Sequence, residues 1–353
     1  MKKKNVTKLL TAFAMSAIVL AGCGSEKPAD NTVTEENQTT EENQTTEENG
    51  EQEVGEEETS ETENSEEADE EENYETGDAS LDNTRNQDEI GENEILVVSF
   101  GTSYNDNRRM TIGAIENKIE AAFTDYSVRR GFTSQIIIDH VKKRDDVTID
   151  NVKEALDRAV NNGVKKLVIQ PTHLMNGLEY NDLVEEVANY SDAFEKVAVG
   201  EPLLTSDDDF QKVMKAITEA TAEYDDGETA ICFMGHGTEA DSNKVYSKMQ
   251  DMLTDAGYTN YYVGTVEATP SLDDVLAKVQ AGNYKRVVLQ PLMIVAGDHA
   301  NNDMAGDEDG TWKKTFEDAG YEVECVVQGL GELEAIQDIF VEHAQAAIDS
   351  LAE

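Results

Sequence analysis

From residue 95 onward, short apolar runs recur between segments whose apolar positions fall three or four residues apart. Residues 95–100 (ILVVSF), 126–132 (YSVRRGF), 165–171 (KKLVIQP) and 196–202 (KVAVGEP) all have strand length. Helical spacing follows the first run as far as Ala121, then covers Val152–Asn161 and the region Leu183–Tyr190, while Ser134–Lys143 separates the second and third runs. Nearly continuous apolar strands alternating with amphipathic helices predict an α/β fold whose parallel sheet is covered on both faces.

The pattern then starts again. Residues 229–238 (TAICFMGHGT) parallel 95–103 (ILVVSFGTS), and 285–303 parallel 165–183. Gln170-Pro171 and Gln290-Pro291 are each followed, six residues past the proline, by a glycine, Gly177 and Gly297. Such internal similarity predicts two homologous α/β halves, 95–224 and 225–353, each a parallel sheet flanked by helices. A final helical stretch, Leu333–Leu351, is placed to cross back onto the first half.

Before residue 95 the pattern is different. A basic start (MKKKNVTK) leads into the apolar run LLTAFAMSAIVL, shorter than the roughly 20 residues that span a bilayer and of signal-peptide length. The run ends in LAGC, residues 20–23, which resembles the lipobox of bacterial lipoproteins. By that resemblance 1–22 is a lipoprotein signal peptide and Cys23 carries a lipid that holds the exported chain on a membrane; an ordinary secretory signal with an incidental cysteine is the alternative. Residues 23–94 then form the expected disordered acidic tether, in which TEENQT recurs with a period of six and apolar residues are too few to offset chain entropy.

Charge follows the same division. The formal net charge is −47, and 28 acidic residues between Glu26 and Glu94 face only Lys27 and Arg85. Residues 95–353 are still acidic, which argues against nucleic acid and anionic lipid surfaces as partners but not against metal cations. Cys232 and Cys325 belong to no CxxC or Cys/His zinc pattern and read as free, structural thiols. No Walker lysine, GxGxxG or GxSxG is present, which removes the usual nucleotide-binding and serine-hydrolase signatures.

Candidate chemistry gathers in the second half. His236 lies between two glycines after the first strand (MGHGT), Glu267 follows the second (VGTVEATPS), and His299 follows the third (VAGDHANND). The gaps are one strand-helix unit each, so parallel strands bring all three residues to one sheet edge, where open α/β folds bind ligands. Two imidazoles and a carboxylate suit cobalt, nickel, iron or zinc, and they also suit proton transfer. Taken singly, His236 reads as a turn residue, Glu267 as a helix cap and His299 as a loop residue; their joint spacing favours a site. Gly235 and Gly237 are expected to let a flat ligand approach the backbone. His173, at a strand end of the first half, is a weaker candidate for the same cleft, while His140 and His343 read as surface residues.

The segments LVVSFGTSY, FTSQIIID, QPTHLMNGLEY, GHGTE, GTVEATPSLDDV, PLMIVAGDHANNDMAGDE and IQDIF together resemble the anaerobic-type sirohydrochlorin cobaltochelatases, class II chelatases related in fold to ferrochelatase. The resemblance covers nearly all of residues 95–350. It implies two α/β halves with a tetrapyrrole in the cleft between them, Co(II) as substrate, two protons released, and no nucleotide. Carried over by motif, it makes His236 and Glu267 catalytic, and His236, Glu267 and His299 metal-binding. Expected partners are sirohydrochlorin and, through the lipid on Cys23, a membrane; nucleic acid is not expected, and the oligomeric state stays open. Export departs from a cytoplasmic biosynthetic role. It keeps three alternatives in view: a chelatase for Fe(II) or Ni(II), an extracytoplasmic lipoprotein that captures haem or metal, and a surface lipoprotein on a retired enzyme scaffold.

Overall fold

The computed structural model describes residues 76–88 and 90–352. The expected signal segment, Cys23 and the tether up to residue 75 lie outside the described residues.

Two four-stranded sheets carry the fold. The first has β1 (Asn93–Ser99), β2 (Ser127–Phe132), β3 (Lys166–Pro171) and β4 (Lys196–Val199) in the order β2-β1-β3-β4. The second repeats that order as β6-β5-β7-β8, with β5 (Thr229–Gly235), β6 (Tyr261–Thr265), β7 (Arg286–Pro291) and β8 (Glu322–Cys325). Every pairing is parallel. The two-half α/β reading is therefore correct in class and topology.

Strand alternation decides which core each side chain enters. Ile95, Val97 and Val168 share one cluster with Ile231, Phe233 and Val263, so the inner faces of both sheets contribute to a common core. Leu96, Val98, Leu167 and Ile169 point the other way, onto Ala155, Leu156 and Leu183. Ala230, Cys232, Met234 and Leu289 do the same against Val275, Trp312 and Phe316. The join near residue 224 thus separates sequence repeats, not independently packed cores.

The terminal helix, Glu334–Ser350, lies on the first half. Its Ile336, Ile339 and Phe340 enter the common core, and Lys118 pairs with its Glu334 (3.1 Å) and Asp338 (2.7 Å). The helix expected after β1 breaks into Asn105–Met110 and Ile112–Ala122. At the break the Thr111 hydroxyl donates to the Asn107 carbonyl at 2.6 Å, a back-bond that bends helices.

The expected tether is overturned at its C-terminal end, where residues 76–88 and 90–92 belong to a strap built into the first half. Composition concealed this, because the attachment rests on a few buried charged residues and on backbone hydrogen bonds that composition does not register. Asp82, 3% exposed, receives Arg108 Nε at 2.7 Å and Arg130 Nη1 at 2.7 Å. Arg85, equally buried, pairs with Glu116 at 3.2 Å and Glu120 at 3.0 Å. Thr76 accepts from the Asp106 N–H at 2.9 Å through its carbonyl.

Glu94, at the start of β1, is fully buried, and neither carboxylate oxygen has a hydrogen-bond partner. Burial pushes its pKa from 4.5 up to about 7, against the opposing pull of Arg129. The folded state therefore binds more protons than the unfolded chain between those values, so stability declines as pH rises from about 4.5 through about 7. Glu94→Gln is expected to remove this slope and to gain on the wild type at alkaline pH by on the order of 1–3 kcal/mol. Urea unfolding of both proteins on either side of neutrality checks it; parallel pH profiles would count against a titrating Glu94.

Candidate metal centre

The second sheet positions the candidate residues through backbone pairing. Gly235 is in register with Thr265, and Met234 with Pro291, so β5, β6 and β7 end together. His236 is the first residue beyond β5. Its carbonyl accepts the N–H groups of Val266 (3.1 Å) and Glu267 (2.9 Å), which fixes the two strand ends against each other. Beyond β7 the chain is held from the first half, where Asn107 Oδ1 accepts the Ala296 N–H at 2.8 Å. His299 then opens a π-helical turn, Ala300–Met304.

These constraints bring His236, Glu267 and His299 together, with one potential ligand atom from each lying within 4.8 Å of the others. The imidazole centroids are 4.6 Å apart and the rings are nearly perpendicular, at 82°. His236 Nδ1 lies 2.8 Å from the Gly237 carbonyl and 3.6 Å from Glu267 Oε2. His299 Nδ1 lies 2.7 Å from Asp303 Oδ2. A neutral imidazole that donates from Nδ1 keeps its Nε2 lone pair, so both rings are arranged to offer Nε2 to a metal. Burial works against protonation of His299, but the Asp303 hydrogen bond and the charges of Asp303, Asp298 and Glu267 raise its pKa above the ordinary value. The side chains of His236 and Glu267 are 47% and 54% exposed, so a large ligand can reach them.

The glycines beside His236 work differently from the sequence expectation. A Cβ on Gly235 would stand 2.1 Å from the Tyr246 ring, and one on Gly237 2.9 Å from Ala268. Gly237 also has φ +93°, the left-handed region. The space they leave is filled by the protein's own packing, not kept for a flat ligand. Tyr246, buried, accepts the Gly237 N–H at 3.3 Å through its hydroxyl and so supports the turn that carries His236.

The strand-end loops of the two halves meet. A Cβ on Gly297 would come within 3.0 Å of Thr102 Oγ1, and one on Gly177 within 3.8 Å of Ser242 Oγ. The repeats are chemically unequal, however. In the parallel segments SFGT (99–102) and GHGT (235–238), Phe100 stands where the second half has His236, and it is 48% exposed. Among the described residues, the candidate metal ligands therefore gather on the second sheet's edge.

The remaining histidines stay outside the cluster. Both ring nitrogens of His173 are shielded and without a hydrogen-bond partner, and burial lowers its pKa to about 4. His140 is buried, not exposed as expected, because its helix turns that face inward. His343 is also largely covered, at the contact of the terminal helix with the first half, where Nε2 meets Asp209 Oδ1 at 3.1 Å and Nδ1 meets the Glu201 carbonyl at 3.0 Å. Cys232 and Cys325 are free; burial raises both thiol pKa values, that of Cys325 to about 11. Sequence reasoning missed Asp303 and Asn107. The first had a signal, since four residues separate it from His299, one turn of a helix. The second had none, because its partner lies 189 residues away.

Known proteins carry the same organisation. The family described as cobalt chelatase (CbiK) matches residues 93–349. The sirohydrochlorin cobaltochelatase of Salmonella typhimurium is 36% identical over 258 residues, covering 73% of this chain and 97% of that protein. The sirohydrochlorin cobaltochelatase CbiKC of Nitratidesulfovibrio vulgaris is 30% identical, covering 72% of this chain and 90% of its own length. Among solved structures, SirB from Bacillus subtilis with Fe3+ superposes with a TM-score of 0.52 at 11% identity, over 74% of this chain and 98% of that one, a likeness of fold. With a match that spans both sheets and the whole His236–Glu267–His299 edge, this chain belongs to the cobalt chelatase (CbiK) family.

Proposed function

We propose that the protein is a sirohydrochlorin cobaltochelatase, which inserts Co(II) into the macrocycle with release of the two pyrrole N–H protons. The observation that carries this reading is the convergence of His236, Glu267 and His299 on one open edge, with both imidazoles engaged at Nδ1 and free at Nε2. His236 and His299 hold Co(II) partly stripped of water on one face of the macrocycle, which removes much of the entropic barrier to transfer. Glu267, exposed and 3.6 Å from His236, accepts the departing protons. Nitrogen and carboxylate ligands also accept Fe(II) and Ni(II), so the preference for cobalt comes from family membership. The test is multiple turnover by the full chain with sirohydrochlorin and Co(II), Fe(II) or Ni(II) in turn, followed by the macrocycle absorbance. Cobalt is expected to react fastest; no metal reacting beyond the uncatalysed rate would refute the assignment.

Export and a lipid on Cys23 remain part of the proposal, supported by the LAGC sequence at residues 20–23 after a signal-length apolar run. In that setting the catalytic domain works outside the cytoplasm on a membrane-held chain. Cys23→Ala is expected to shift the protein from the membrane fraction to the soluble one. Equal membrane retention of both forms would overturn lipid anchoring at that residue. The same export signal favours, as a second reading, a lipoprotein that captures haem, for which tight haem binding without metal insertion is the distinguishing result.

A further inference from the structure

We infer that Asp303 is a positioning residue: it fixes the tautomer of His299 and makes that imidazole the firmer of the two metal-holding ligands. Its functional meaning rests on the chelatase reading, while its chemistry rests on geometry alone.

The π-helical turn after His299 brings Asp303 to Nδ1 of the ring, with Oδ2 at 2.7 Å. Neighbouring polar groups are already committed elsewhere. Asn302 Nδ2 donates to Asp298 Oδ1 at 2.5 Å, and Asn301 Nδ2 donates to the Ala296 and Gly297 carbonyls at 3.2 and 2.7 Å. Asp298 and Glu267 act on His299 through their charge, while Asp303 is the carboxylate within hydrogen-bond distance of its Nδ1. An ionised carboxylate only accepts, so the single N–H of a neutral imidazole must sit on Nδ1 and the lone pair on Nε2.

His236 is held differently. Its Nδ1 meets a backbone carbonyl at 2.8 Å, a neutral acceptor, and Glu267 only at 3.6 Å. Hydrogen bonds to ionised acceptors are about twice as strong as neutral ones, and a carboxylate behind an imidazole raises its basicity as a ligand. The two histidines are thus unequal by construction. His299 keeps its grip on Co(II) while His236 lets go first as the macrocycle nitrogens take over.

Asp303→Ala, and the isosteric Asp303→Asn in case the smaller side chain disturbs the turn, test this in the full chain with two readouts. The first is the ring-nitrogen tautomer without metal, from long-range proton–nitrogen correlation, with the signal assigned against His299→Ala. The wild type is expected to hold the proton on Nδ1 of His299, and Asp303→Ala to populate the Nε2–H form while His236 is unchanged; Asp303→Asn, which still offers a neutral acceptor, is expected to keep the tautomer but to bind Co(II) more weakly than the wild type. The second is Co(II) binding without tetrapyrrole, followed by its visible absorption. Affinity is expected to fall about 10–100-fold in Asp303→Ala, with partial recovery in Asp303→Glu. Unchanged tautomer and affinity in both variants would overturn the inference. So would a second equivalent of Co(II) bound by the wild type and lost in Asp303→Ala, because Asp303 would then be a ligand in its own right. Neither readout needs turnover, so a wild-type chain that fails to insert cobalt overturns the chelatase assignment and leaves the positioning role to be judged separately.

Discussion

His236→Ala is expected to slow Co(II) insertion into sirohydrochlorin by at least about 10³-fold while leaving the fold intact. The ring is half-exposed, and its contacts are with site residues: Glu267, His299 and the Gly237 carbonyl. What ties β5 to β6 is the His236 carbonyl, which alanine also supplies. Truncation therefore removes one of the two imidazoles proposed to hold the metal, with no cavity in any of the packed cores. Wild-type circular dichroism and thermal midpoint together with lost turnover are the expected pair of results. Retained turnover would mean that cobalt does not pass through this edge.

Asp82→Ala is expected to have the largest effect on stability, about 3–5 kcal/mol, enough to lower the thermal midpoint by on the order of 10 °C. Asp82 is the carboxylate shared by Arg108 and Arg130, both fully buried. Glu116 remains for Arg130, at 2.7 Å, but Arg108 would keep as hydrogen-bond acceptors only the neutral Thr102 O and Asn105 Oδ1, with the Asp145 charge acting from farther away. A buried guanidinium without its counterion is far costlier than the pair was worth. Although burial opposes ionisation of Asp82, Arg130 and Arg108 hold its pKa below the ordinary value. Its contribution is thus complete above the ordinary aspartate pKa and disappears as pH falls through the lower, folded value. Acid sensitivity in that window is expected to be weaker in the variant. The same reasoning applies to a fragment beginning at residue 95, which loses Asp82 and Arg85 together; such a fragment with the thermal midpoint of the full chain would contradict the role given to the strap.

Much of this architecture was legible from periodicity. Stretches such as ILVVS (95–99) and VVLQP (287–291) are buried on both faces, so the sequence shows them as nearly continuous apolar blocks. The regular spacing of His236, Glu267 and His299 survived into space because parallel strands align their ends. What stayed hidden depends on contacts that composition cannot register. The strap reads as more of the same acidic tether, and what distinguishes it is the pairing of its Asp82 with buried Arg108 and Arg130 and of its Arg85 with buried Glu116. His140, among charged neighbours, and His343, on the terminal helix, looked exposed, yet tertiary packing covers both. Gly235 and Gly237 were recognisable as special, but Tyr246 and Ala268, which occupy their space, come from other elements.

The most direct measurement counts protons. With the full chain at a small fraction of the sirohydrochlorin concentration, absorbance and a pH indicator are followed together after Co(II) is added. Two protons released per macrocycle converted, over many turnovers, with neither signal from His236→Ala, is the expected result. A spectral change that stops at one macrocycle per protein and releases no protons would contradict catalysis at this edge and identify the protein as a tetrapyrrole binder.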